Sequence, residues 1–156
     1  MSSVAAIAMN QTIQETNDIN VYVLGDKEVA KSFTKFLGQN VGNSQLMSVS
    51  NGDELPVEKP SVLIFTDASR TQEVVNYCRE NNVLSISNNP ELCEKGVTLG
   101  VGRIVTPMFE KKHSLASVQM YLNETASDAE GQVWDSSIHA VTKPVSDTDD
   151  FVVVSK

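Results

Sequence analysis

Three short polar segments stand where side-chain oxygens could act together. Gly25-Asp26, Thr66-Asp67 and Ser87-Asn88 each close an apolar run of strand character. In an open parallel sheet, ligands favour the crevice beyond the carboxyl ends of the strands. Carboxylates, a hydroxyl and an amide at such strand ends would suit a small ligand or a hard cation, since hard cations prefer oxygen ligands. The candidate ligand-binding residues are Asp26, Thr66, Asp67, Ser87 and Asn88.

The same segments also fit a purely structural role. Asp26, Asp67 or Ser69, and Asn89 each precede a predicted helix. At that position a side-chain oxygen accepts hydrogen bonds from backbone N–H groups that have no partner within the helix. Ligand binding and helix capping are therefore two interpretations of one pattern.

The two cysteines, Cys78 and Cys93, also have two interpretations. In an oxidising compartment they could bridge the helix before the third clear strand to the helix just after it. Alternatively, they are two buried thiols that fill core space. No histidine lies near either of them in sequence, and His113 and His139 are isolated, so we expect no metal site.

Motifs for catalysis or cofactor binding do not occur in the sequence. It has no G-x-S-x-G, no G-x-G-x-x-G and no P-loop, and GVTLGVG is too apolar to cradle a phosphate. A phosphate-receiving signalling domain would need paired acids after the first strand and a lysine after a late strand. Here Asp26 stands alone, and VTLGVG is followed by Arg103. We expect no catalytic residue, no cofactor and no enzymatic activity.

The elements that must position these residues are repeated strand–helix units. INVYVL (19–24) and SVLIF (61–65) are apolar runs without helical spacing, and VLSIS (83–87) is a third, while QLMSV (45–49) is a weaker strand candidate. Amphipathic helices follow the first and second of the clear strands. Two successive β–α–β units predict parallel strands with right-handed crossovers and helices on both faces.

The segment SNNPELCEKG (87–96) carries its own start and stop signals for a short helix. Asn89 can cap it, Pro90 is favoured at its first position, and Gly96 permits a left-handed exit. A helix this short does not span a normal parallel crossover of a dozen or more residues. We therefore expect the next strand, VTLGVG, near the sheet edge, with an antiparallel direction left open.

The C-terminal third predicts a hairpin followed by helices. Residues 97–105 and 118–122 should pair around a turn at 107–114. A helix should start near Thr125, and Trp134, Ile138 and Val141 lie one turn apart on a final helix that ends before Pro144, with Trp134 as a core anchor. The fold class is therefore a single α/β domain with a mixed, mainly parallel sheet flanked by helices, and a C-terminal β-hairpin and helix.

Composition limits the partners. The 156 residues carry a formal net charge of −8, without a basic stripe. This argues against nucleic acid, whose phosphates need Lys and Arg, and against electrostatic membrane binding. No apolar run is long enough for membrane insertion. Residues 1–18 predict either a short amphipathic helix or the retained tail of a signal peptide, and residues 145–156 an acidic tail that includes a strand-like FVVV.

Several of these motifs coincide in one known family. VLSISNNPELCEKGVTLGVG resembles the strand–turn–strand block of YfiR/HmsC-like proteins, and VQMYLNETASDAEGQVWDSSIHAV resembles their final block. VYVLG and VLIFTD match the family's first and middle strands. The resemblance covers residues 19–144. It departs from the family pattern at the N-terminus, which lacks aromatic residues, at Gly96-Val97, where the family has two glycines, and in its cysteines.

The resemblance implies a non-catalytic periplasmic regulator. Such proteins bind the periplasmic portion of an inner-membrane diguanylate cyclase and restrain cyclic-di-GMP synthesis, and they form homodimers. The alternative, suggested by the strand-end residues themselves, is a domain that senses a small ligand in that crevice.

Overall fold

The computed structural model describes residues 2–107 and 114–145. Its centre is one eight-stranded sheet in the order β2-β3-β1-β4-β5-β6-β7-β8. The strands are β1 (Asp18–Leu24), β2 (Asn40–Val41), β3 (Ser44–Gly52), β4 (Val62–Phe65), β5 (Leu84–Ser87), β6 (Leu99–Pro107), β7 (Ser114–Leu122) and β8 (Thr142–Pro144). The α-helices are α1 (Ser2–Ala8), α2 (Gln11–Gln14), α3 (Lys27–Thr34), α4 (Thr71–Asn81), α5 (Glu124–Ala129) and α6 (Ile138–Val141). Two 3-10 helices, Ala68–Arg70 and Pro90–Lys95, complete the list.

The centre of the sheet is parallel, as the β–α–β pattern predicts. β1 pairs with β3 on one side and β4 on the other, and β4 pairs with β5, all in parallel. The weaker strand candidate at 45–49 is confirmed as part of β3. β2 is a two-residue antiparallel strand that the sequence pattern does not indicate, since two residues are too few to show a period.

The apolar side chains form two clusters. The larger contains Val21 and Val23 of β1 together with side chains of α1, α2, α3 and α6. The smaller contains Leu63, Phe65 and the inward side of α4. In β1 and β4, successive residues alternate between the two clusters because successive side chains of a strand point to opposite faces. This explains why residues 21–24 of β1 and all four residues of β4 are apolar or aromatic.

The open question about VTLGVG is resolved in favour of the parallel direction. β6 pairs in parallel with β5 and lies between β5 and β7, so it is not an edge strand. Only two residue pairs connect β5 to β6, Ile86 with Leu99 and Ser87 with Gly100. Because β6 begins level with the end of β5, the chain has little distance to return. The short Pro90–Lys95 helix is therefore enough, and the rule for full-length crossovers does not apply.

Two glycines in β6 make room for that short helix. A Cβ at Gly100 would lie 2.9 Å from Pro90 Cα, and one at Gly102 would lie 2.6 Å from Pro90 Cγ. Real Cβ atoms do not approach other atoms so closely. The glycines of GVTLGVG thus allow the helix to pack directly on the strand, which is a structural reason for their spacing.

The C-terminal hairpin is confirmed, but the final helix is shorter than predicted. β6 and β7 pair antiparallel, and β8 adds a parallel strand beside β7. α6 covers only Ile138–Val141, so Trp134 lies before it and pairs by an isolated bridge with Asn10. Trp134 is half-buried against the larger cluster, and its Nε1 donates to Ser127 Oγ at 2.8 Å. Part of the predicted turn at 107–114 and most of the tail, including FVVV, lie outside the described residues.

The structure contains Cys78 and Cys93 as two thiols, with no bond between them. Cys78 is buried in the smaller cluster beside α4 neighbours such as Val74. Cys93 is also buried, and its Sγ lies 3.4 Å from the Tyr121 carbonyl oxygen. Both thiols fill core space in this structure. The disulfide stays a prediction, which thiol titration of denatured, unreduced protein would test.

Candidate functional site

The strand ends align along one rim of the sheet. Leu24 at the end of β1 is in register with Phe65 at the end of β4, and Phe65 is in register with Ser87 at the end of β5. The residues that follow these strands are therefore neighbours, as expected for parallel strands. The sequence prediction that the polar segments share a rim is confirmed.

Three of the five candidate residues line one cleft. Asp26, Thr66 and Asp67 border a cleft of ≈ 620 Å³ together with Glu28, Asp53 and Arg70. Thr66 Oγ1 donates to Asp26 Oδ2 at 3.2 Å, which joins the ends of β1 and β4. The other two candidates do not line it. Ser87 is fully buried, and its Oγ accepts from the Asn89 N–H at 3.0 Å, while Asn88 is exposed farther along the rim.

The two candidate carboxylates of the cleft, Asp26 and Asp67, also cap helices. Asp26 Oδ1 accepts from the N–H groups of Glu28 at 3.1 Å and Val29 at 3.2 Å at the start of α3. Asp67 Oδ1 accepts from the N–H and the hydroxyl of Ser69, at 2.9 and 2.8 Å. These hydrogen bonds lower the pKa of Asp67, since they favour the charged carboxylate. The capping role is thus real, and it occupies one oxygen of each carboxylate.

The cleft carries charges of both signs. Asp26, Glu28, Asp53 and Asp67 face Lys27 and Arg70. Arg70 forms a two-pronged ion pair with Glu73, at 2.7 and 3.1 Å, and this pair raises the pKa of Arg70. Among the described residues, no group of three or more His, Cys, Asp or Glu side chains is arranged to hold a metal ion. The cleft therefore offers both acidic and basic groups to a bound molecule.

A second polar cluster, which the sequence analysis did not predict, lies inside the molecule. Glu130, which follows α5, is completely buried. Its carboxylate accepts from Ser85 N at 3.1 Å, Ser85 Oγ at 2.5 Å and Thr98 Oγ1 at 2.6 Å. Ser85 Oγ accepts in turn from the Thr98 N–H at 3.0 Å. The cluster therefore connects β5, the start of β6 and the C-terminal segment.

Burial controls the acidity of this carboxyl group. Removal from water raises the pKa of Glu130 to about 7, although the hydrogen bonds from Ser85 and Thr98 and the charge of Arg79 act to lower it. Burial of Cys78, together with the charge of the nearby Glu130, raises the pKa of the Cys78 thiol well above its ordinary value. Cys78 is therefore an inert core thiol and not a nucleophile.

Gln132 extends the buried cluster to the N-terminal helices. Asn10 Nδ2 donates to Gln132 Oε1 at 2.9 Å, and Gln132 Nε2 donates to the Asn82 carbonyl at 3.2 Å. Two signals in the sequence point to such a cluster: Ser85 interrupts an apolar strand, and Thr98 interrupts another. A buried polar side chain requires a partner. Their partner, Glu130, lies 45 and 32 residues away and cannot be inferred from local spacing.

The family model for YfiR/HmsC-like proteins matches residues 8–137. The chain belongs to the YfiR/HmsC-like family. The matched region includes α2, every strand from β1 to β7 and the buried Glu130, and it begins before the boundary at residue 19 that the sequence motifs suggest. None of the curated proteins compared with this YfiR/HmsC-like chain matches it significantly.

Family membership indicates a regulatory class of protein that is associated with diguanylate cyclase signalling in the periplasm. In the described part of this YfiR/HmsC-like protein, none of the helices combines the length and the apolar character needed to cross a bilayer.

Proposed function

We propose that this protein is a non-catalytic periplasmic regulator that binds the periplasmic domain of an inner-membrane diguanylate cyclase, or a related signalling protein, and restrains it. The observation that supports this proposal is the family match across residues 8–137. The acidic charge of the chain is compatible with a partner that is a protein rather than a nucleic acid. Homodimer formation, which the family resemblance implies, is part of the proposal and can be measured by light scattering.

Direct reconstitution tests the proposal. The purified chain is titrated against the periplasmic domains of the membrane-bound diguanylate cyclases of its own organism, and binding is measured by calorimetry. The full-length cyclases are then placed in vesicles with the chain on the periplasmic side. One cyclase should bind the chain and lose activity, and the same cyclase without its periplasmic domain should not respond. If no cyclase binds and none loses activity, the proposal is wrong.

The cleft beside Asp26 supports a second candidate function, the sensing of a small ligand. Its volume of ≈ 620 Å³ and its mixture of carboxylates, Thr66 and Arg70 suit a small polar molecule. A thermal-shift screen of metabolites and divalent cations would identify a ligand. Asp67→Ala should abolish a true ligand shift, and so should Thr66→Val, which removes a hydroxyl of the rim without removing a helix cap. A baseline loss of stability in Asp67→Ala, with the ligand shift retained in both variants, would leave capping as the role of Asp67.

A further inference from the structure

β3 is the edge strand of the parallel part of the sheet, and its outer side is only partly covered. β2 pairs with Ser44 and Gln45, and the backbone of Leu46 bonds to Gly38 and Gln39. From Met47 to Gly52, no strand in the described ranges pairs with the outer side. The strand sequence, SQLMSVSNG, has no charged residue and no proline, which are two of the features that block pairing at an exposed edge. A third such feature, a bulge, is confined to Met47, and from Ser48 to Gly52 the register with β1 is regular.

A cleft of ≈ 640 Å³ lies against the same strand. Small side chains of β3, Ser48 and Ser50, form its floor with Asn20 and Tyr22 of β1, and the loop 53–60 forms its wall. We call this cleft and the adjoining β3 edge the β3 groove. Because Ser48 and Ser50 are short, the groove has space above the strand for the side chains of a bound segment. Gly52 adds no further space, since the Tyr22 hydroxyl lies where its side chain would be.

The wall of the β3 groove is held in place before anything binds. Tyr22 Oη donates to the Glu54 carbonyl, Tyr77 Oη to the Pro56 carbonyl at 3.1 Å, and Arg70 Nη1 to the Asp53 carbonyl at 3.0 Å. Pro56 and Pro60 restrict the backbone of the loop further. A loop that is already ordered loses little conformational entropy on binding. Its tip nevertheless presents Val57 fully to solvent.

The charge of the wall defines the chemistry of its partner. The wall carries Asp53, Glu54 and Glu58 against Lys59. Arg70, which contacts the wall from the end of the Ala68–Arg70 helix, is already paired with Glu73. The groove therefore combines an uncharged strand edge, an exposed valine and a net negative wall. An extended segment with apolar residues and a lysine or arginine complements all three features.

We propose that the β3 groove binds an extended segment of a partner protein, which adds a strand beside Met47–Gly52 and places a basic side chain against the 53–60 wall. The inference rests on the proposed function, since the segment would belong to the periplasmic domain of the regulated signalling protein. Main-chain hydrogen bonds to β3 supply affinity, and the acidic wall and Val57 supply specificity.

The test uses the full chain and the cyclase periplasmic domain that binds it. Met47→Lys places a charge on the open edge, and the double variant Glu54→Lys/Glu58→Lys reverses the charge of the wall. Each should weaken binding at least tenfold, and the wild-type affinity should fall as salt concentration rises. Val133→Lys is the matched control, because Val133 is 55 % exposed, compared with 51 % for Met47, and lines no part of the groove. Amide exchange should slow at residues 47–52 in the complex.

The outcomes separate this inference from the proposed function. If no cyclase domain binds the wild-type chain, the proposed function fails and the partner inference fails with it. If the wild-type chain binds but both groove variants bind equally well, only the groove is wrong as the binding surface. If Met47→Lys instead dissociates a homodimer and leaves cyclase binding intact, the edge pairs with a second copy, and the inference is overturned. Circular dichroism of each variant checks that it is folded.

Discussion

Asp67 and Glu130 receive almost the same hydrogen bonds and respond in opposite ways. Asp67 accepts from the N–H and hydroxyl of Ser69, and Glu130 accepts from the N–H and hydroxyl of Ser85 and from the Thr98 hydroxyl. The pKa of Asp67 is lowered, whereas the pKa of Glu130 is raised to about 7. Glu130 has one more donor, so hydrogen bonding does not explain the difference.

Burial does explain it. Asp67 lies on the open rim of the sheet, where water stabilises its charge, and Glu130 is completely buried between β5, β6 and the C-terminal segment. The desolvation cost of the buried charge exceeds what three hydrogen bonds return. The rim carboxylates are therefore accessible charges that a ligand or partner can use, while Glu130 is a structural group whose charge depends on pH.

The largest effect should follow from Glu130→Ala. The substitution leaves two hydroxyls and one amide without their acceptor in a buried site, at a cost of roughly 1–3 kcal/mol for each group. We expect the free energy of unfolding to fall by about 3 kcal/mol or more, as measured by urea denaturation at pH 6. Glu80→Ala is the control, because Glu80 is exposed on α4. Equal stability of the two variants would show that the cluster around Glu130 does not hold the elements together.

The second effect is a dependence of stability on pH. Between the ordinary glutamate pKa of 4.5 and the value of about 7 in the folded state, the folded protein binds a proton that the unfolded chain releases. The contribution of Glu130 to the free energy of unfolding is therefore fully present below pH 4.5 and is lost as pH rises through about 7. The loss between pH 5 and 8 should approach ~3 kcal/mol, at roughly 1.4 kcal/mol for each pKa unit.

Glu130→Gln isolates this contribution, because glutamine keeps the shape of the side chain and cannot titrate. Denaturation midpoints of the wild type should decrease from pH 5 to pH 8, and those of the variant should stay level over the same range. Parallel pH curves for the two proteins would contradict the assignment of the pH dependence to Glu130.

The third effect compares two threonines that each donate to a carboxylate. Thr98 donates to Glu130 at 2.6 Å in the interior, and Thr66 donates to Asp26 at 3.2 Å on the rim. Thr98→Val should cost about 1–2 kcal/mol, since it removes a hydrogen bond to a buried charged group. It should also raise the pKa of Glu130 further. Thr66→Val should change stability by no more than about 0.5 kcal/mol. Equal losses of stability in Thr98→Val and Thr66→Val would show that burial does not distinguish the interior carboxylate from the rim carboxylate.

The sequence predicts the rim better than the interior for a physical reason. Neighbouring parallel strands end at one edge of the sheet, so the placement of Asp26, Thr66 and Asp67 follows from the direction and order of β1 and β4. Asn88 lies outside the cleft because it follows β5, which is separated from β1 by β4. Ser87 lies outside it because its side chain is buried. The contact between Glu130 and Ser85 spans 45 residues and depends on how the C-terminal segment returns to the sheet. Local periodicity contains no information about such a return.

The sequence does not determine whether β6 runs parallel or antiparallel to β5, and the reason is related. The length of the Pro90–Lys95 connection is visible in the sequence, but the overlap of β5 and β6 is not. Only the two-pair overlap allows a short parallel connection. The clearance that Gly100 and Gly102 give to Pro90 is part of the same arrangement, and the sequence shows the glycines without showing what approaches them.

The smallest effect, and the one opposite in sign, belongs to Asp67. Its lowered pKa means that the folded state holds the charged form more strongly than the unfolded chain does. Stability from this group is present above the ordinary aspartate pKa of 3.8 and is lost as pH falls through the lower folded value. Asp67→Asn should therefore melt slightly below the wild type at pH 7, and the difference should shrink as pH falls below 3.8. Melting temperatures of Asp67→Asn and Glu130→Gln are compared with those of the wild type across the full pH range. Asp67→Asn should melt slightly below the wild type above pH 4, whereas Glu130→Gln should melt above the wild type above pH 6. If both variants differ from the wild type with the same sign at pH 8, burial is not what distinguishes the two carboxylates.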